Sequence, residues 1–162
     1  INLGASISVI VGQSLGAGML SEAKEQARKM IFFSVACCCV FAGIMASVGG
    51  LFPSIYNTEE SIRELARTFI LISSIVMPLC AFSHCAYFTL RSGGKTIITF
   101  LFDSVYTWIV LIPFAYILSN YTSLSIAAVF FLVQFMEVIK VIIGAFMLKS
   151  GVWLQNIVVE DL

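Results

Sequence analysis

MIFFSVACCCVFAGIMASVGGLF, the segment from Met30 to Phe52, runs without a single charged residue. Wound as an α-helix at about 1.5 Å per residue it is about 34 Å long, enough to cross a hydrocarbon layer of about 30 Å. Strands in folded domains are far shorter, so a β reading fails on length. The segment ends at the flexible pair Gly49 and Gly50 and at Pro53, which removes a backbone donor. It therefore reads as a membrane span, and the rest of the chain follows the same pattern.

Working outward, four more apolar stretches are separated by polar punctuation. Residues 1–16 form a shorter one of about 24 Å, which reads as a span whose outer end lies upstream. Residues 69–90 contain Pro78 and His84, residues 97–118 contain Asp103 and Pro113, and residues 124–148 contain Gln134, Glu137 and Lys140. The expected fold is all-α and polytopic: four full transmembrane helices, one truncated one, and a tail over 149–162. Composition agrees, since 60% of residues are apolar and 11% charged, against about a quarter charged in a soluble domain. The solvent for most side chains must be lipid. Net charge is zero and the basic residues sit in short clusters, a pattern that gives nucleic-acid binding no support.

Those clusters set an orientation. Loops on one side hold Lys24, Arg28, Lys29, Arg91, Lys95 and Lys149, whereas the other side holds Arg63 and Arg67 diluted by Glu59, Glu60 and Glu64. The richer side is expected to be cytoplasmic, the C-terminal tail with it. Two connectors read as surface helices. The outer one is capped by Asn57 or Thr58 and presents Ile62, Leu65, Ala66 and Phe69 on one face; the inner one covers the charged residues from Ser21 to Lys29. Tyr56, Tyr116, Tyr121 and Trp153 read as anchors at the membrane interface. The row Cys37, Cys38 and Cys39, with Cys80 and Cys85, reads as small apolar packing residues, implying neither a disulfide nor a metal.

Gly4, Ser8, Gly12 and Gly16 recur every four residues, a ridge of small side chains along which a second helix can approach closely. Gln13 beside that ridge is a candidate to face a cavity. Ionisable groups inside spans carry the most information, because each costs at least a few kcal/mol at mid-membrane without a partner or water. His84 lies about 10 Å from Arg91 along its helix, Asp103 about 12 Å from Lys95, and Lys140 and Glu137 about 14 and 18 Å from Lys149. One layer in the inner half of the membrane is expected, with Lys140 shared by Glu137, three residues away, and by Asp103 on the preceding helix. That layer is either a structural network or a site where a proton or cation binds. Pro78 and Pro113 free the carbonyls of Ser74 and Ile109 and should kink their spans.

The order Val11-Gly12-Gln13-Ser14-Leu15-Gly16-Ala17-Gly18, then Ala23 and a short charged helix, resembles the multidrug and toxic compound extrusion family. The resemblance continues through Leu90-Arg91-Ser92-Gly93-Gly94-Lys95-Thr96, then Asp103, Trp108 and Pro113, then Glu137 and Lys140, and ends at Lys149-Ser150-Gly151-Val152-Trp153. It implies twelve helices in two similar lobes around a central cavity in the cell membrane. It also implies export of small organic, often cationic molecules driven by Na+ or H+, with no bound cofactor. On it the chain holds the end of the eighth helix and the ninth to twelfth, and its partners are membrane lipid and a preceding N-terminal lobe. Family members often place coupling carboxylates on the first, seventh or tenth helix; the tenth here, residues 69–90, has none. A lipid-linked sugar flippase of related fold would need a strongly basic cavity. A non-transporting scaffold would use the polar layer for packing alone, and an enzyme is not expected, since no nucleophile or metal-ligand constellation accompanies the charges.

Overall fold

A computed structural model of the chain describes residues 2–55 and 59–155. Its described part is helical: α1 covers Asn2–Gly16, α2 Leu20–Val48, α3 Glu60–Ser92, α4 Thr96–Tyr121 and α5 Ile126–Ser150. A short 3-10 turn at Phe52–Ile55 follows α2. The last four helices hold 29, 33, 26 and 25 residues and are apolar enough to cross a membrane. Side chains such as Phe32, Phe146 and Trp108 are more than 70% exposed. In water they would drive association; in hydrocarbon the same side chains are solvated.

Two helices are longer than the apolar stretches that gave rise to them. The charged segment from Ser21 to Lys29 is not a separate surface helix, because α2 begins at Leu20 and runs through it unbroken. Glu, Lys, Gln, Arg and Ala are all strong helix formers, and the Glu25–Lys29 ion pair at 2.7 Å spans one turn. On the opposite side Arg63 to Phe69 likewise continue straight into α3, with neither Gly nor Pro to break the turn between them. The expected caps Asn57 and Thr58, and Tyr56, lie outside the described residues.

α3 is the central element and packs against α1, α2, α4 and α5. The fully buried residues gather at one end of the bundle: Ile7, Val11 and Leu15 of α1, Ala23 and Ala27 at the start of α2, Cys85 and Leu90 near the end of α3, and Trp153. Hydroxyls in the spans are largely satisfied within their own helices: Ser74 donates to the Ile70 carbonyl at 2.7 Å and Thr89 to that of Cys85 at 2.8 Å. With no water at hand this is the cheapest partner a buried hydroxyl can find. Ser14 of α1 donates to Gln26 of α2 at 2.8 Å, and Gln26 in turn donates to Glu22, one turn back on α2, at 3.0 Å.

Small residues let the backbones close. A Cβ on Gly4 would run into the Phe88 ring of α3, while one on Gly12 would meet Ser92 Cβ at an ordinary 4.0 Å. Trp153 is not an exposed interface anchor: it is 2% accessible and donates its indole N–H to the Leu148 carbonyl at 3.3 Å. Gly151, at φ 70°, reverses the chain after α5 and brings the following residues under the turn between α3 and α4. There Gln155 donates to the Gly93 carbonyl at 2.9 Å, and the Trp153 backbone lies where a Gly93 side chain would begin. Tyr116 and Tyr121 remain exposed.

Gly93→Ala is therefore expected to lower stability by about 1–3 kcal/mol, since backbone rather than a flexible side chain must give way. Gly12→Ala should leave stability nearly unchanged. Thermal unfolding of the two variants in detergent checks the contrast.

Candidate functional site

Along α3, Ser83, His84, Tyr87, Phe88 and Arg91 recur at helical spacing and share one face. Opposite them, Asp103 of α4 and Glu137 and Lys140 of α5 complete the wall of a cavity of about 230 Å³. The chain thus brings His84, Asp103, Glu137 and Lys140, from three helices, around one space.

Lys140 is its centre. The residue is 8% exposed, its Nζ 3.4 Å from Asp103 Oδ1 and 3.7 Å from Glu137 Oε2, and 5.5 Å above the Tyr106 ring. The two carboxylates are not equivalent: the Glu137 side chain is 14% exposed and that of Asp103 60%. Glu137 is the enclosed partner, one helical turn from the lysine on the same helix, while Asp103 is the accessible one and ties α4 to α5. With Arg91 counted, two cations face two anions around the cavity. His84 Nδ1 lies 2.7 Å from the Cys80 carbonyl and so donates to it, which leaves Nε2 for other partners.

Both helices that carry the carboxylates depart from regular α geometry at this level. α4 winds as π-helix over Leu101–Val105, which contains Asp103, and again over Thr107–Leu111, ending two residues short of Pro113. A proline has no N–H to give the carbonyl four residues back, and a wider turn ahead of it re-registers the ladder before the missing donor arrives. In α5 the α pattern is interrupted at Met136, between Ile126–Phe135 and Glu137–Ser150. The Met136 N–H is shared between the Leu132 and Val133 carbonyls at 3.3 and 3.2 Å, and the Met136 carbonyl accepts the Tyr106 hydroxyl at 2.9 Å. Tyr106, three residues from Asp103, therefore holds α5 by its backbone next to Glu137 and by its ring beneath Lys140.

The Ser83 hydroxyl is buried and makes no hydrogen bond to the described residues, unlike Ser74 and Thr89. It borders the cavity, so it can donate to or accept from whatever fills that space. Ser83, Tyr87, Arg91 and Tyr106 were not singled out in the sequence. Helical spacing from His84 and Asp103 was the signal that could have found them, Arg91 having been counted only as a loop cation.

The other candidates lie elsewhere. Gln134 is half-buried one turn before Glu137 and is not part of this cavity wall; Gln13 is exposed on α1; Gly12 and Gly16 belong to the α1 ridge; Pro78 lies within α3, about one and a half turns before Ser83 and His84. Among the described residues no group of three His, Cys, Asp or Glu side chains could hold a metal ion.

Removing only the ammonium should be costly, because it strands two carboxylates, one of them enclosed. Lys140→Met is expected to destabilise the chain by about 3 kcal/mol or more. The double variant Glu137→Gln/Lys140→Met should recover much of that loss, which thermal unfolding in detergent would measure.

A family model described as MatE matches residues 1–117. The match includes His84 and Asp103 and stops before Glu137 and Lys140. The chain is 26% identical over 126 residues to a "Probable multidrug resistance protein NorM" of Oceanobacillus iheyensis, covering 77% of this chain and 28% of that protein. It is 24% identical over 133 residues to a "Probable multidrug resistance protein YoeA" of Bacillus subtilis, covering 80% of this chain and 28% of the relative. The chain thus spans little more than a quarter of the length of these curated relatives. No solved structure matches it.

Proposed function

The chain belongs to the MatE family, and from that premise we propose that it forms the C-terminal part of an exporter that moves small organic molecules out of the cell in exchange for Na+ or H+. The relatives' names supply the substrate class, multidrug export. The length ratio supports a partner lobe encoded by the same protein, in a two-lobed array of twelve helices that opens alternately to either side.

One observation carries the reading: a buried ammonium is shared by an enclosed carboxylate and an accessible one, at a level where both carboxylate-bearing helices are irregular. In this scheme the coupling cation, or a proton, reaches Asp103 first, because its side chain is the exposed one while Glu137 is enclosed. Neutralising Asp103 leaves Lys140 to Glu137 on its own helix and removes the ion pair between α4 and α5, so that the Tyr106 contacts alone join the two helices at this level. The π-wound part of α4 then has freedom to rewind, and that change of helix packing is the response the lobe passes to the transport pathway. Occupancy shifts the equilibrium only as far as the cation prefers one packing over the other. His84 Nε2 and the Ser83 hydroxyl supply further polar contacts. Two carboxylates facing two cations disfavour a phosphate-bearing sugar-lipid as cargo, since that cargo needs a cavity of net positive charge.

In the full transporter, Asp103→Asn is expected to slow ion-driven efflux of a cationic dye by about tenfold, a coupling loss within the usual 1–3 kcal/mol, while the protein still accumulates in the membrane. Undiminished efflux would assign the network to packing alone. The same scheme puts the C-terminus in the cytoplasm, so a tag appended after Leu162 should be labelled only once the cell is opened. Labelling in intact cells would reverse the orientation.

A further inference from the structure

A second cavity, of about 510 Å³, lies on the bundle's flank where α2, α3 and α5 meet. Its walls are apolar, formed by Ile31, Phe32 and Val35 of α2, Phe82 of α3 and Leu148 of α5, with Trp153 at one end. At that same end stand three cations, Lys24 and Arg28 of α2 and Lys149 of α5, all exposed. None of the three has a carboxylate within ion-pair distance among the described residues. The neighbouring acids are engaged elsewhere, Glu25 with Lys29 and Glu22 with Gln26.

From Lys24 to Val35 the groove runs along α2 for about 16 Å, the depth of one leaflet when the whole hydrocarbon layer is about 30 Å. The cations mark its polar end, at the ends of α3 and α5, where the chain passes into its connecting turns. An apolar channel one leaflet deep, topped by three cations that no carboxylate of the described residues pairs, matches the two halves of one kind of molecule. We propose that this groove seats an anionic phospholipid, with an acyl chain against Ile31, Val35 and Phe82 and the head-group phosphate among Lys24, Arg28 and Lys149. A soluble phosphate compound would leave the channel empty, and a zwitterionic lipid would leave the cations uncompensated. The site is separate from the polar cavity and does not depend on the transport scheme.

Trp153 reports on it. In the full chain with every other tryptophan replaced by Phe, reconstituted in phosphatidylcholine vesicles, Trp153 emission is titrated with brominated phosphatidylglycerol or brominated phosphatidylcholine at equal mole fraction. Quenching is expected at a concentration at least about fivefold lower for the anionic lipid, with the preference shrinking in high salt. Lys24→Gln/Arg28→Gln/Lys149→Gln should abolish the preference. Ala145→Phe, which fills the groove and leaves every charge in place, should abolish it too; Val35→Phe repeats that test from the facing helix, and unchanged emission in unbrominated vesicles shows that each variant is folded. Equal quenching by the two lipids would overturn the proposal, as would no quenching by either, which means that protein covers the groove. A preference that survives both groove-filling variants would overturn it as well, since the charges would then attract lipid without seating it.

Discussion

Hydrocarbon offers no hydrogen bonds, and everything in this chain is arranged around that fact. Each backbone N–H and C=O must find its partner within its own segment, so a stretch such as Met30 to Phe52 has only the helix open to it. The same constraint turns serine and threonine side chains back onto carbonyls one turn away. It also makes a buried ammonium tolerable only where carboxylates and an aromatic face are delivered to it, from its own helix and from the neighbouring one. Lys140 is thus a structural requirement on three side chains at once: Glu137 must be one turn away, Asp103 must be at matching depth on an antiparallel neighbour, and Tyr106 must lie beneath.

The backbone irregularities belong to the same account. A carbonyl in a regular helix is shielded by the next turn, and a side chain from another helix reaches it most easily where the winding is broken. At the interruption the Met136 carbonyl accepts both the Ile139 N–H and the Tyr106 hydroxyl, and the π winding around Asp103 lies ahead of Pro113. The departures from α winding therefore fall in α4 and α5, while α1, α2 and α3 keep ordinary winding through the described residues, α3 even around Pro78.

Much of this was legible in the residues themselves. Run length and the absence of charge identify the four long helices, and counting residues back from the basic loops puts His84, Asp103, Glu137 and Lys140 at one depth. Such counting is reliable because rise per residue is nearly constant in a helix. What it cannot supply is azimuth. Gln13, a candidate for its place beside the α1 ridge, and Gln134, a polar residue within a span, do not border the cavity that the four ionisable groups share, whereas Ser83 and Tyr106 border or brace it. Helix continuity was misread for a different reason: a change from charged to apolar residues signals a change of solvent, not a break in hydrogen bonding, so α2 and α3 pass through the boundary unaltered. The fate of Trp153 was hidden because burial beneath the Gly93 turn depends on a chain reversal at Gly151 that polarity does not announce.

The distribution of close packing has a mechanical meaning. Ile7, Val11, Leu15, Ala23, Leu90 and Trp153 are fastened together at one end, where the segment after α5 also clasps the α3–α4 turn. The bundle is held like a folding fan at its rivet. Leverage follows from that placement: any given angle opened at the rivet would separate the helices most at the far end, where close packing is sparse.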